Sequence, residues 1–337
     1  MKYLIKGLLI FLVLILSAFI LFYFWGGSGA FRSSEYYRLV KFHDRPSQRK
    51  DTFSVMTYNI GYLSGLDNNT PVRTTYAMNL ANLDRAVSVI KDLSPDFIGF
   101  QEIDFASHRS YYLNQFDSIG LLGDYAMGAI AVNWDKNFVP FPYWPPSTYF
   151  GKILSGQAVL SRYPIVSNTV MILPKPASNA FYYNRFYLDR LVQTAGVELP
   201  DSVKLLIINV HFEAFDKKTR EIDSDRLVDY LKTIPRETPY ILIGDFNSRP
   251  PYRGVSLNDE RTIRNIIASG LEPAVGENLY AADPGKYYTF NSGHPVEKID
   301  YIFYNPSRIS EVDAFVVKEM GEISDHWPMY MKFIIKN

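Results

Sequence analysis

The sequence contains no cysteine and carries no net charge, and each of these absences excludes a class of protein. Without cysteine, the 337-residue chain can form neither a disulfide framework, nor a thiolate nucleophile, nor a cysteine-ligated zinc site. Basic and acidic side chains number 35 each, so the chain lacks the overall positive charge that favours non-specific binding to nucleic acid. Apolar residues make up 47% of the chain, which is enough to fill a large core and excludes wholesale disorder.

The neutral total conceals two regions of opposite charge. Residues 1–50 carry eight basic and two acidic side chains, a net charge of +6. Residues 51–337 carry 27 basic and 33 acidic side chains, a net charge of −6. A protein that binds nucleic acid through its phosphates needs cationic surface, so the acidic body argues against that role.

An apolar run without charge lies close to the N-terminus. Leu8 to Trp25 are 18 uncharged residues, nearly long enough to span a hydrocarbon core of about 30 Å as a helix. The alternative is a cleaved signal peptide, for which Ser28 to Ala30 offer small residues, but the run exceeds the usual length of about 7–15 residues. The sequence therefore predicts an uncleaved transmembrane anchor over residues 1–25 and a linker over 26–50. Because a very short N-terminal tail usually stays inside, we expect a single-pass membrane protein whose main domain lies outside the cytoplasm.

Short β-branched or aromatic runs alternate with helical patterns after residue 50, and no internal repeat or second linker is present. The runs predict buried strands that end in polar residues, beginning at Phe53, Phe97, Lys204, Tyr240, Ile299 and Met329. Helical spacing covers Met78 to Leu93, with Leu80, Leu83, Val87 and Ile90 on one face, and also Lys217 to Leu231. This alternation predicts one layered α/β domain over residues 51–337.

The polar residues at the strand ends are suited to chemistry on a phosphate ester. Burying several acids together is too costly unless a cation or a histidine compensates them. The hard oxygen ligands Asn59, Glu102 and Asp325 suit Mg²⁺ or Mn²⁺. His326 with a carboxylate partner could act as a general base on water, while His211 and Asn247 could hydrogen-bond a phosphoryl oxygen.

Seven motifs in order resemble those of the endonuclease/exonuclease/phosphatase superfamily, which has the fold of DNase I. They span residues 53–335 and are Thr57-Tyr58-Asn59-Ile60, Gln101-Glu102, Leu160-Ser161-Arg162-Tyr163-Pro164, Asn209-Val210-His211, Gly244-Asp245-Phe246-Asn247, Lys298-Ile299-Asp300-Tyr301-Ile302 and Ser324-Asp325-His326-Trp327-Pro328. The resemblance implies a four-layered α/β sandwich and a metal-dependent phosphoric ester hydrolase.

The resemblance also implies roles for individual residues. Glu102 resembles the principal metal ligand, with Asn59 beside it and Asp325 near a second cation position. Asp300 and His326 resemble the pair that activates water. The remaining correspondences concern the phosphate: Asp245 and Asn247 match the pair that handles the nucleophile or leaving group, and His211 matches the histidine that stabilises the transition state. Arg190 has two interpretations. It either matches a family arginine that supports the site or forms a salt bridge at the surface.

The substrate class is the least determined feature of the sequence. Residues Phe138 to Phe150 contain six aromatics and four prolines, which form either a rigid loop packed on the sheet or an aromatic rim for a substrate or bilayer. With the anchor and the acidic domain, this stretch favours a phosphodiesterase or phosphatase acting on a lipid-linked or small phosphoester. The alternatives are a nuclease of the same fold and a non-catalytic binding module.

Overall fold

Two mixed β-sheets face each other, and helices lie on their outer surfaces. The computed structural model describes residues 1–44, 48–252 and 260–336. In these ranges the helices are α1 Lys2–Gly26, α2 Tyr76–Leu93, α3 Gln115–Leu122, α4 Phe181–Phe186, α5 Lys217–Leu231, α6 Thr262–Ala268 and α7 Glu277–Ala282. The strands are β1 Tyr37–Lys41, β2 Phe53–Asn59, β3 Phe97–Asp104, β4 Met127–Val139, β5 Gly151–Ser161, β6 Ile165–Ile172, β7 Leu191–Glu198, β8 Lys204–His211, β9 Tyr240–Asp245, β10 Glu272–Pro273, β11 Asp300–Tyr304, β12 Ile309–Val316 and β13 Met329–Ile335.

Each sheet contains one parallel pair among antiparallel neighbours in the described part of the chain. The first sheet has the order β1-β4-β5-β3-β2-β13-β12, with β2 parallel to β3. The second has the order β10-β11-β9-β8-β7-β6, with β8 parallel to β9. Because parallel neighbours end at the same edge, the carboxyl ends of β2 and β3, and of β8 and β9, carry their polar residues to shared positions.

Three apolar layers hold the sandwich together. Between the sheets, the buried side chains of Phe53, Phe97 and Phe333 pack against Ile207 and Ile243. Each sheet is also covered by helices on its outer face. Its central strands are therefore buried on both faces, and such strands carry continuous apolar runs. The second layer joins α2 and α3 to the first sheet through Leu83, Ile90, Phe116 and Phe100, and the third joins α5 and α6 to the second sheet through Leu227, Ile263 and Leu242. The predicted four-layered α/β sandwich is confirmed.

Helix α2 shows how local sequence sets an element's ends. Thr75 caps the first turn, its side chain accepting a hydrogen bond from the Met78 N–H, and Ser94 ends the helix in the left-handed conformation at φ +49°. Of the four residues predicted on one face, Leu83, Val87 and Ile90 are buried, and Leu80 at the margin of that face is 38% exposed. The face that packs on the sheet is centred on Leu83 and Ile90.

Helix α1 is long and apolar enough to cross a membrane by length and composition. It has 25 residues, a mean hydropathy of 2.8 in its most apolar window, and no part of that window is buried in the protein. A signal sequence has the same properties.

Part of the predicted linker belongs to the first sheet. Tyr37–Lys41 forms β1 and pairs with β4 from Ala131 to Met127. Before it, the Asp135 carboxylate accepts hydrogen bonds from the Ala30 and Phe31 N–H groups. The interpretation of 26–50 as a linker is therefore corrected for these residues, whose polar composition reflects an edge strand with one exposed face. Residues 45–47 of that stretch, and 253–259 and 337 of the predicted domain, lie outside the described residues.

Candidate active site

Strand register brings the predicted residues to one end of the sandwich. In the second sheet, Asp245 is paired with His211 on one side and with Asp300 on the other. In the first sheet, Asn59 is paired with Gln101, next to Glu102. The two sheets therefore present a carboxylate-rich cluster to each other at the carboxyl ends of their parallel strands.

Asn59 connects the two sheets across this cluster. Its Nδ2 donates to Asp245 Oδ2 at 3.0 Å and to Glu102 Oε1 at 3.4 Å. Its Oδ1 accepts from the Gly61 N–H at 3.1 Å, which fixes the direction of the amide. A neutral donor thus holds two acids of different sheets in one cluster.

Asp300 and His326 form a buried pair. Asp300 Oδ2 lies 2.9 Å from His326 Nδ1, so Nδ1 carries the hydrogen and Nε2 faces Asp245 Oδ2 at 3.9 Å. The ring of Phe290 packs on the imidazole at 4.9 Å between centroids. Burial disfavours the charged imidazole, but the charges of Asp300, Asp245 and Asp325 outweigh it and raise the pKa of His326 well above its ordinary value.

His211 differs from His326 in its charge environment. Arg190 Nη1 donates to His211 Nε2, so the hydrogen of the imidazole lies on Nδ1, which has no hydrogen-bond partner among the described residues. Burial, together with the charge of Arg190, lowers the pKa of His211 well below its ordinary value. His211 is therefore neutral, and the nitrogen it turns toward the acids is Nε2, which lies 3.5 Å from Asp245 Oδ2 and 3.8 Å from Glu102 Oε1.

Arg190 lies inside the site and is not a surface residue. It is 4% exposed, and its guanidinium lies 3.6 Å from Glu213 Oε2. Tyr187 donates from its hydroxyl to the same Glu213 carboxylate at 3.0 Å. Of the two interpretations of Arg190 left open by the sequence, the surface salt bridge is wrong.

Glu102 and Asp325 form the part of the cluster that suits a cation. Glu102 lies within a bulge of β3, between Phe100 and Ile103, and has φ +53°, a conformation that turns its side chain out of the regular pleat. Asn68 Nδ2 donates to Asp325 Oδ1 at 3.1 Å and to Glu102 Oε2 at 3.3 Å. Burial, with the charge of Glu102, raises the pKa of Asp325.

This donor set fits a hard divalent cation. Among the described residues, neither Glu102 nor Asp325 forms an ion pair with a lysine or an arginine. The buried Oδ1 of Asn68 has no hydrogen-bond partner there either, which leaves an oxygen donor free beside two carboxylates. Carboxylate and amide oxygens are the ligands that Mg²⁺ and Mn²⁺ prefer.

Asp245, Asp300 and His326 also place one donor atom each within 4.8 Å of one another. Since His326 Nδ1 is occupied by Asp300, we interpret this trio as a proton-handling group. Burial, with the charge of Asp300, raises the pKa of Asp245 to about 7. Asn247 has φ +48°, and its Nδ2 donates to the Phe212 carbonyl at 3.1 Å.

The structure therefore brings all eight predicted residues to one end of the molecule: His211, Asp245, Asn247, Asp300, His326, Asn59, Glu102 and Asp325. Sequence reasoning missed Asn68 and the Tyr187–Glu213 pair. Asn68 belongs to the polar loop Asp67-Asn68-Asn69, which has no apolar strand before it to mark a site. Only the polar run itself could have drawn attention to it.

Comparisons with known proteins agree with this architecture. The family model described as "Endonuclease/Exonuclease/phosphatase family" matches residues 56–326. An endonuclease/exonuclease/phosphatase from Beutenbergia cavernae has 20% sequence identity and a TM-score of 0.59 over 86% of this chain and 72% of its own. One from Bacteroides vulgatus has 19% identity and a TM-score of 0.58 over 85% and 100%.

A third similar structure is D. rerio TDP2 complexed with a single-strand DNA product. It has 16% identity and a TM-score of 0.55 over 84% of this chain and 99% of its own. The comparison with curated proteins gave no significant match. At these identities the structural likeness defines the fold.

Proposed function

Because the chain belongs to the endonuclease/exonuclease/phosphatase family, which includes phosphodiesterases, phosphatases and nucleases, we propose that it is a divalent-metal-dependent phosphoester hydrolase tethered to a membrane. The observation that carries the proposal is the Asp300–His326 hydrogen bond, which leaves the imidazole Nε2 facing Asp245, the acid that Asn59 connects to Glu102. The general base that would activate water, His326, then lies next to the position where Glu102 and Asp325 would hold a metal ion bound to the phosphate.

Glu102 and Asp325 would hold the cation, with Asn59 and Asn68 beside them. Bound there, Mg²⁺ or Mn²⁺ would polarise a phosphoryl oxygen and lower the pKa of His326 by adding positive charge. His326 Nε2 accepts a proton from water, and Asp300 holds the imidazole in the correct tautomer and stabilises it once charged.

The remaining residues act on the phosphate. His211, kept neutral by burial and by the charge of Arg190, borders the phosphate through Nε2, and the Arg190 guanidinium that donates to Nε2 supplies positive charge as negative charge develops on a phosphoryl oxygen. Asp245, whose pKa is raised by burial and by the charge of Asp300, supplies a proton to the leaving oxygen. Asn247, anchored on the Phe212 carbonyl, positions the phosphate with its second N–H.

The substrate we propose is a lipid-linked or small phosphoester, with the catalytic domain outside the cytoplasm. The support is the exposed apolar helix α1, the net charge of −6 over residues 51–337, and the exposed rings of Tyr143 and Trp144. Digestion of the domain by protease added to intact cells tests the orientation. A mature chain that lacks α1 by intact mass would contradict the anchor.

Replacing the principal metal ligand tests the reaction class. Glu102→Gln should remove most activity and weaken Mg²⁺ binding while leaving the apolar core intact, because it removes one charge from the ion's surroundings. Turnover, Mg²⁺ affinity by calorimetry and circular dichroism are to be compared with the native chain. Unchanged turnover together with unchanged affinity would contradict the assignment.

A further inference from the structure

The C-terminal end of helix α1 packs against the domain that contains the candidate active site. The ring of Phe22 stacks on Phe186 of α4 at 5.7 Å and meets Phe138 edge-on at 5.9 Å, and Trp25 stacks on Phe138 at 6.4 Å. These contacts pack aromatic rings of α1 against the domain, with Phe22 half-buried and Trp25 still 57% exposed. They fix the direction in which α1 leaves it.

Polar side chains of the domain also satisfy the carbonyls at the end of α1. Asn137 Nδ2 donates to the Trp25 carbonyl at 3.0 Å, and Lys136 Nζ donates to the Gly27 carbonyl at 3.3 Å. The Trp25 carbonyl also accepts from the Ser28 N–H at 3.2 Å, and together these bonds hold the end of α1 on the domain. A membrane crossed by α1 therefore meets the domain at a defined face.

That face carries exposed aromatic rings. We define the aromatic face as Tyr143, Trp144, Phe181, Tyr182 and Phe215, which are 56%, 76%, 75%, 56% and 82% exposed. Phe181 lies 6.1 Å from the ring of Tyr23 at the end of α1, so the face is continuous with the anchor. Aromatic rings of this kind are enriched where protein meets the headgroup layer of a bilayer.

The aromatic face also borders the candidate active site. From α4, Tyr183 packs on Tyr187 at 5.2 Å, and the Tyr187 hydroxyl reaches Glu213, the partner of Arg190. The Phe215 N–H donates to the same Glu213 carboxylate at 3.0 Å.

A series of contacts between aromatic rings connects the aromatic face to the other side of the candidate active site. Tyr143 contacts Phe141 at 5.5 Å, Phe141 contacts Phe150 at 5.2 Å, and Phe150 contacts Tyr62 at 5.6 Å. Tyr62 follows Asn59 by three residues. Both flanks of the catalytic cluster therefore connect to the face that adjoins α1.

We infer that the aromatic face lies in the headgroup layer of the bilayer that α1 crosses, so that the active site opens onto the membrane surface and takes a lipid-borne phosphoester from it. The inference that the aromatic face lies in the headgroup layer depends only on the contacts described above. The inference that the substrate is lipid-borne depends also on the proposed function. The two parts can be tested separately.

The absence of cysteine makes the position of the face measurable with single spin labels. The full chain is reconstituted in phosphatidylcholine vesicles with one cysteine and label at Phe181, Tyr182 or Trp144. The control label is at Val312, 51% exposed on β12, at the opposite edge of the first sheet from β1. Compared with the control label, labels on the aromatic face should be more accessible to oxygen, which partitions into the bilayer. They should be several-fold less accessible to an aqueous nickel chelate. Equal nickel accessibility at all positions would overturn the inference.

The substrate part is tested by hydrolysis. Changing Tyr143 and Trp144 together to Ala should lower hydrolysis of a fluorogenic phospholipid in the vesicles by roughly fivefold or more, with little change on a soluble nitrophenyl phosphodiester. Val312→Ala should leave both rates unchanged. Equal effects of the double change on both substrates would overturn this part. A native chain that hydrolyses neither substrate contradicts the proposed function, and the label accessibilities still decide where the face lies.

Discussion

Amide side chains are as important as acids within the candidate site. Asn59 donates to Asp245 and Glu102, and Asn68 donates to Glu102 and Asp325. Each amide stands between two carboxylates and lowers their mutual repulsion without introducing a charge that would compete with a cation. This arrangement keeps the acids close together, as the proposed cation site requires.

Asn68 provides a prediction at the residue scale. Asn68→Leu should weaken Mg²⁺ binding about tenfold, because it leaves the two carboxylates without a shared donor and removes a free oxygen. Asn68→Asp should preserve or tighten binding. Calorimetric Mg²⁺ affinity is the measurement, with Asn69→Gly as control, since Asn69 is an exposed neighbour with φ +58°. Equal affinities for the native chain and the Asn68→Leu variant would contradict a role for this side chain.

The Asp300–His326 pair should behave as a unit in kinetics. Asp300→Asn should slow turnover by at least ~10², because it removes both the orientation and the charge stabilisation of the imidazole. His326→Ala should be comparably damaging, and the double variant should add little. Single-turnover rates for the three variants decide this. Penalties that multiply would show that the two residues work separately.

How far the site could be predicted depends on where each residue stands in the chain. Glu102, His211 and Asp245 lie in the carboxyl-terminal parts of apolar strands, and such strands can be recognised from local pattern. Asn68 reaches the site from a loop, and Arg190 is buried by residues distant in sequence. Contacts of this kind depend on tertiary packing, which the local sequence pattern does not predict.

At the scale of elements, six interior strands were predicted from their apolar runs, whereas the four edge strands and the interior strands β4, β5 and β7 were not. β2 is buried along its whole length and is apolar or aromatic at most positions. β1 and β12 contain charged residues because one face of an edge strand meets solvent, and their pattern resembles that of a loop. This is the physical reason that part of the predicted linker turned out to be a strand.

Helix α5 carries a buried acid whose ionisation opposes folding. Asp223 Oδ2 accepts from the Glu213 N–H at 3.2 Å, and burial raises the pKa of Asp223 to about 7, with Glu213 adding to the rise and Arg190 and Arg220 opposing it. The folded state thus binds this proton more tightly than the unfolded state. The contribution of Asp223 to stability therefore falls as the pH rises from about 4 to about 7.

Asp223→Asn keeps an acceptor for Glu213 but cannot ionise. Relative to the native chain it should gain roughly 2 kcal/mol of unfolding free energy between pH 5 and pH 8. Urea unfolding of the detergent-solubilised full chain at the two pH values measures this. Asp229→Asn, which removes an exposed carboxylate on the same helix, should show no such gain. An equal gain for both variants would contradict the assignment to burial.

At the scale of the whole molecule, helix α1 and the candidate active site form the single arrangement on which the proposed membrane tethering rests. Helix α1 is seated on Phe138 and Phe186, and the carboxyl ends of the parallel strands place the catalytic cluster beside the same region. An anchored enzyme meets a lipid substrate at high local concentration, which a nuclease would not gain. The acidic domain would also repel duplex DNA on average.

The most direct test of the account is a hydrolysis panel on the full chain in phospholipid vesicles, with Mg²⁺ or with EDTA. The substrates are sphingomyelin, phosphoinositides, a nitrophenyl phosphodiester and duplex DNA, and the Glu102→Gln chain runs in parallel. The account predicts Mg²⁺-dependent hydrolysis of a phosphoester, faster on a lipid or small substrate than on DNA, and its loss in the variant. DNA cleavage without lipid hydrolysis would favour the nuclease, and no Mg²⁺-dependent hydrolysis of any substrate would contradict the central claim.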